Sequence, residues 1–441
     1  MKDQLNKMDP LSRRKFAAGT ASAAFGLSLM PTLETAMAQS GSVGKAKHLI
    51  YFYMGGGMTH IDSFDPKPEA PSEYAGPIGS IGTNVDGIRL GAYFTNLAKK
   101  ADKLAIVNSL NGKTGAHDGG RYWMLTGYQK RATIVHPEML AWKQEFHNKN
   151  DSSDSAMPKS FIIGGGGLPG AGFFGPSHAP LPIGDPNRGL PNSASPTGDQ
   201  SREEKRMDAL ATFNEAFTSK FKTREVKAYN EYYDNTMKFL KSDELEVFDL
   251  SKEPDAERQK FGMGRMGQGA LLAARLVEKG VGGVRVGGAG SCDNHGNIQT
   301  SFQGPANTLD QALSALIDRL EASGKLDETL IVVGTEFGRT PKINANAGRD
   351  HYPRCFSGLM VGGGVVGGQV YGKTDVRGVS VEENPVSPED YNATIATALG
   401  IPLDKIVFAP SGRPFLIAGH TEDTATKEVI PVGKPIMPFF G

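Results

Sequence analysis

The sequence predicts an α/β fold in which a mainly parallel sheet is sandwiched by helices. Two observations predict it. Apolar runs of strand length alternate with amphipathic or charged runs of helix length, the order that builds parallel sheets. Several of the apolar runs also end in glycines followed by a polar cluster, which suits a buried parallel strand delivering residues at its carboxyl end.

Taken in order, "KHLIYFYM" (47–54) is a strand ending in "GGGMTHIDSFDPKP". "KLAIVNSL" (103–110) is a second, followed by "NGKTGAHDGGRYWMLTGY". "SFIIGGGG" (160–167) is a third, and it opens a Pro/Gly/Ser-rich insertion at about 164–205 of the kind that forms a lid or site wall. Residues 202–247 are charged and helical in pattern. Residues 267–280 read as an amphipathic helix closed by Gly280, and "GVRVGG" as the next strand, running into "SCDNHGN". Residues 308–324 form another helix, "ETLIVVGTEFGRTP" a strand and loop, and "CFSGLMVGGGV" a further strand. The last helix, "SPEDYNATIATALGI", has Ser387 as N-cap and Pro388 at its first position.

Composition narrows the function. Lys+Arg and Asp+Glu are 48 each, so the chain lacks the basic excess of a nucleic-acid binder. The N-terminus reads as a processing signal: twin arginines Arg13 and Arg14, a modest apolar stretch, then "AMAQS" with cleavage after Ala38. Residues 1–38 are therefore expected to be a twin-arginine signal recognised by the Tat export machinery, and 39–441 a single domain, periplasmic or extracellular, with no integral membrane span. The two cysteines, Cys292 and Cys355, leave two readings open: a disulfide, which an exported compartment permits, or two buried thiols.

In open α/β sheets, ligands bind beyond the carboxyl ends of the strands. The polar clusters fall there: His60 and Asp62; His117 and Asp118; Asp293 and His295; Glu336; Asp350 and His351. Four of the chain's nine histidines are among them. Imidazole and carboxylate together suit a divalent metal ion: zinc, manganese, iron or calcium. Each cluster also has a plainer reading. Asp293 and His295 could be a capped turn, Glu336 could pair with Arg339, Asp350 with Arg349, His60 with Asp62, and His117 with Asp118 could open a helix. The run "VGGGVVGGQ" lacks the lysine and hydroxyl of a phosphate loop and reads as a turn.

In this order, "LIYFYMGGGMTHIDSFDPKP", "HDGGRYWMLTGY", "SCDNHGN", "TEFGRTP", "GRDHYP" and "GGGVVGGQVYGKTD" resemble the exported family catalogued as domain of unknown function 1501, over about residues 40–420. That family is similar to the alkaline phosphatase and sulfatase superfamily, whose metal site hydrolyses phosphate or sulfate esters. The sulfatase signature C-x-P-S-R-x-x-x-L-T-G falls on residues 117–127, where Arg121, Leu125, Thr126 and Gly127 match. His117 stands where the covalent nucleophile would be, Gly56 where the first metal carboxylate would be, and Phe337 in place of a histidine.

The resemblance implies a one-cation variant of the site. Asp293, His295 and His351 ligate, with Asp350 beside them and His60 or Asp62 replacing the lost carboxylate. Glu336 ligates or acts as a base, Arg121 holds the anionic ester, and His117 is a general acid or base. Two readings result: a metal-dependent hydrolase of sulfate or phosphate esters, on small molecules or a polysaccharide, or an exported binding protein with an eroded metal site.

Overall fold

The computed structural model describes residues 43–147, 156–165, 169–191, 193, 200–221, 223, 226 and 237–441. The signal at 1–38 and residues 166–168, 192 and 194–199 of the 164–205 insertion lie outside these residues.

The centre is an eight-stranded sheet. In chain order its strands are β1 (His48–Tyr53), β2 (Ala105–Leu110), β3 (Ser160–Ile163), β4 (Leu181–Ile183), β5 (Gly283–Val286), β6 (Thr329–Gly334), β7 (Phe356–Val361) and β8 (Gln369–Tyr371). Across the sheet they run β8-β2-β7-β6-β1-β5-β3-β4. All neighbours are parallel except β7, which is antiparallel to both β2 and β6.

The strands are apolar on both faces because both faces are covered. In β1, Ile50 and Phe52 enter one core, while Leu49 and Tyr51 enter the other. The first core is closed by helices Arg265–Glu278 and Ile298–Ala322, through residues such as Leu271 and Leu313. The second is closed by His117–Thr126, Met139–His147 and Pro388–Ala398, through Met124, Trp142 and Ile395. Most boundaries fall where local chemistry sets them. Ser387 and Asp390 form the reciprocal capping box that starts the last helix, and Gly127 ends the first at φ 71°.

Three elements depart from the sequence expectation. The helix expected at 308–324 starts ten residues earlier, at Ile298, and contains Pro305. Pro305 is the eighth residue of this helix and removes the bond its N–H would give the Ser301 carbonyl, so burial of Ile298, Phe302 and Pro305 itself carries the extension. β4 and β8 carry too few apolar residues to show periodicity, yet both add to sheet edges. The two cysteines are free and buried, without a disulfide. Among the described residues no helix is long and apolar enough to cross a membrane.

Candidate metal centre

Loops after β1, β2, β5 and β6 converge with the segment before β7 at one edge of the sheet. Their backbones approach closely enough to require glycine. Gly56 sits at φ 103°, and a Cβ there would lie 2.5 Å from the Asp293 amide. The glycine at this position thus serves the close packing of two loops.

Three imidazoles surround the Asp293 carboxylate. His117 Nε2 lies 3.4 Å from Asp293 Oδ2. His351 Nε2 and His295 Nε2 lie 3.0 and 3.1 Å from Asp293 Oδ1. Each ring is pinned through its other nitrogen to a group that can only accept: His117 Nδ1 to Glu336 Oε1 at 2.7 Å, His295 Nδ1 to Asp350 Oδ1 at 2.8 Å, and His351 Nδ1 to the Gly115 carbonyl at 2.7 Å. An acceptor-only partner assigns the proton to Nδ1, so the neutral ring turns its Nε2 lone pair inward.

Three lone pairs facing a carboxylate repel unless positive charge sits among them. Protons cannot fill every gap. His295 Nε2 and His351 Nε2 are 3.1 Å apart, and two N–H groups cannot point at each other at that distance. One divalent cation answers the geometry with fewer like charges in contact. His117, Asp293 and His351 each offer a ligand atom, all within 4.8 Å of one another, and are a group that could hold a metal ion.

The surroundings hold this arrangement. Arg339, fully buried, donates to Asp293 Oδ1, to the carbonyls of Gly56 and Gly57, and to that of Arg349. Burial works to raise the Asp293 carboxyl. The hydrogen bond from Arg339, together with its guanidinium charge, opposes this and holds the carboxyl well below the usual range. Glu336 is nearly buried and takes hydrogen bonds from Tyr53 Oη (2.5 Å), the Gly56 amide (2.7 Å) and His117. Asp350 lies below its ordinary pKa, chiefly through its bond to His295, and also accepts from Asn344 Nδ2.

The sequence-predicted residues divide into three groups. His117, Asp293, His295 and His351 share one centre, with Glu336 and Asp350 orienting two of the rings. Arg121 stands one helical turn after His117 and pairs with Asp118 at 2.9 Å. His60 and Asp62 are corrections to the metal set. Asp62 is buried and saturated by Arg349, at 2.6 and 3.2 Å, and by Thr59 Oγ1. His60 is buried with its Nε2 on the Gly378 carbonyl, and burial lowers its pKa to about 3. The two alternative ion pairs are also reassigned: Arg349 serves Asp62 rather than Asp350, and Arg339 serves Asp293 rather than Glu336.

Sequence reasoning missed Tyr53, which donates to Glu336 from the end of β1 and had no signal beyond its place in an apolar strand.

The family model described as "Protein of unknown function (DUF1501)" matches residues 46–430. No curated protein matches the chain. Solved structures similar to it include the PsFucS1 sulfatase from Pseudoalteromonas sp., 13% identical with TM-score 0.40, covering 84% of this chain and 72% of that one. Another is a protein in the alkaline phosphatase superfamily from Vibrio parahaemolyticus, 11% identical with TM-score 0.38, covering 88% and 82%. A third is the lipoteichoic acid synthase LtaP from Listeria monocytogenes, 10% identical with TM-score 0.35, covering 90% and 88%.

Proposed function

The chain belongs to the DUF1501 family, and from that premise we propose that it is an exported, metal-dependent hydrolase of sulfate or phosphate esters. The observation that carries this reading is the convergence of three Nε2 atoms on Asp293, each ring held from behind by an acceptor. His117, Asp293 and His351 would hold a divalent cation, which would supply Lewis acidity toward an ester oxygen.

The chain's own residues do the rest. Glu336 fixes the His117 ring and keeps its Nε2 directed at the centre. Arg121, part-exposed on the same helix face, is positioned to hold the anionic end of the ester. His295, oriented by Asp350, is half-exposed beside the centre and can take or return a proton from the solvent side. His117 stands where the resemblance would place a covalent nucleophile, and in this reading water is the attacking group.

The second reading, an exported binding protein, draws on one observation: Arg339 already neutralises Asp293 Oδ1. Elemental analysis of protein folded in the presence of zinc, manganese, iron or calcium separates the two. Near-stoichiometric metal, absent from an Asp293→Ala/His351→Ala variant, together with turnover of an aryl sulfate or aryl phosphate, is the expected result. Metal-free native protein sinks the hydrolase.

A further inference from the structure

Beyond the carboxyl ends of β1, β3 and β5 lies a cleft of about 400 Å³. The charged residues lining it are all arginines: Arg121, Arg265 and Arg285. It adjoins the histidine centre through Tyr53, which lines the cleft and donates to Glu336.

Arg285 is the telling residue. Its side chain is only 8% exposed, and its one carboxylate neighbour, Glu138, lies 3.2 Å from Nε. Its buried Nη2 has no hydrogen-bond partner. A buried guanidinium donor left unmet is costly, and Arg285 is one of the residues that line the cleft. Arg265 adds a second donor from the first residue of helix Arg265–Glu278, whose N-cap Gly264 supplies no side-chain cap. Gly288, at φ 95°, lets the opposite wall approach: a Cβ there would lie 3.0 Å from Arg265 Cβ. Arg121 lines the same cleft, one helical turn after His117. An adjoining recess of about 560 Å³ shares Gly164, Gly165 and Arg265, and carries the cavity outward from the centre.

We propose that Arg265 and Arg285 form a subsite for a second anionic group, so that the substrate is a polyanionic ester, sulfated or phosphorylated at more than one position. This rests on the ester-hydrolase reading for its first anion, held by Arg121. Fork-shaped guanidinium donors suit tetrahedral oxyanions of either kind.

The test is calorimetric binding of matched sugar probes: a monosulfated and a disulfated disaccharide, and the corresponding mono- and bisphosphates. The metal-loaded full chain is expected to bind one dianionic probe at least about tenfold tighter than its monoanionic match, and the preferred series identifies sulfate or phosphate. Arg265→Ala is expected to collapse that ratio toward one. Arg285→Met combined with Glu138→Gln, which leaves no buried carboxylate behind, is expected to do the same. Equal binding of mono- and dianionic probes, no binding of either, or a ratio unchanged in both variants overturns the subsite. Failure of the hydrolase reading looks different: arginine-dependent binding of the dianion without turnover of any ester keeps the subsite and removes the chemistry.

Discussion

His295 and His351 face each other nitrogen to nitrogen, Nε2 to Nε2 at 3.1 Å, over the Asp293 carboxylate. Each is turned inward by a bond on its far side, to Asp350 and to the Gly115 carbonyl. The outer partners should therefore act through the rings they hold. Asp350→Ala frees His295, which exchanges protons beside the centre, so cation affinity is expected to stay within about tenfold while ester turnover falls by about 10²-fold or more. Competition against a chelating dye and turnover of an aryl ester read the two, and unchanged turnover removes Asp350 and His295 from the chemistry.

Glu336 offers a sharper distinction between holding a ring and exchanging a proton. Glu336→Gln keeps an oxygen acceptor for His117 and the packing against Gly56 and Tyr53. If Glu336 only positions His117, the variant binds metal within about tenfold of the parent and keeps the shape of the pH–rate profile. Loss of one limb of that profile makes Glu336 the base.

Asp62 and Arg349 form a buried pair at the entry to the site loops, both almost without exposure. Removing one member strands the other charge. Asp62→Ala should destabilise the fold by about 3–5 kcal/mol. Urea unfolding reads it directly, and a change below about 1 kcal/mol would place the pair among interactions of little consequence.

His60 predicts an acid-sensitive term. Its folded pKa, lowered by burial to about 3, lies below the unfolded value near 6.5. Between these values the unfolded chain binds the proton and the folded one does not, so stability falls as pH drops from about 6.5 toward 3. At pH 4 the loss from this one residue is on the order of 3 kcal/mol. His60→Leu should unfold more easily at pH 7, since it strands the Gly378 carbonyl, yet lose less on acidification. Parallel pH slopes for the two proteins exclude His60 as a source of the sensitivity.

Burial pushes both cysteine thiols up to about 12. Neither should react with a neutral-pH thiol reagent in the native state, and both should react after denaturation. Rapid labelling of native protein would overturn the burial of Cys292 beneath the Asp293 loop.

The sheet was legible because its strands are short, apolar and punctuated by glycine; the site loops were legible because their polar clusters follow those strands. His60 and Asp62 show where this logic stops. They sit in the right place in the sequence, two and four residues past Met58, but each is claimed by a distant partner: Asp62 by Arg349, 287 positions on, and His60 by the Gly378 carbonyl, 318 positions on. Arg339 was misassigned for the same reason: Glu336 is its neighbour in sequence, while the loop carrying Asp293 is its neighbour in space. Periodicity reports which residues are inward. It does not report which of several inward charges will meet.

The antiparallel course of β7 has one more consequence, for the order of events during synthesis. Because β7 runs against its neighbours, the residues that precede it, His351 among them, arrive at the edge that the other strands reach only with their ends. His351 then joins Gly115, 236 positions earlier, and Asp293, 58 positions earlier. A nascent chain that has emerged only as far as β6 carries His117 and Asp293 but lacks the third donor. The full group of His117, Asp293 and His351 is thus complete only once residue 351 has emerged and β7 has paired, so the pinned rings are a late product of folding rather than a nucleus around which the fold begins.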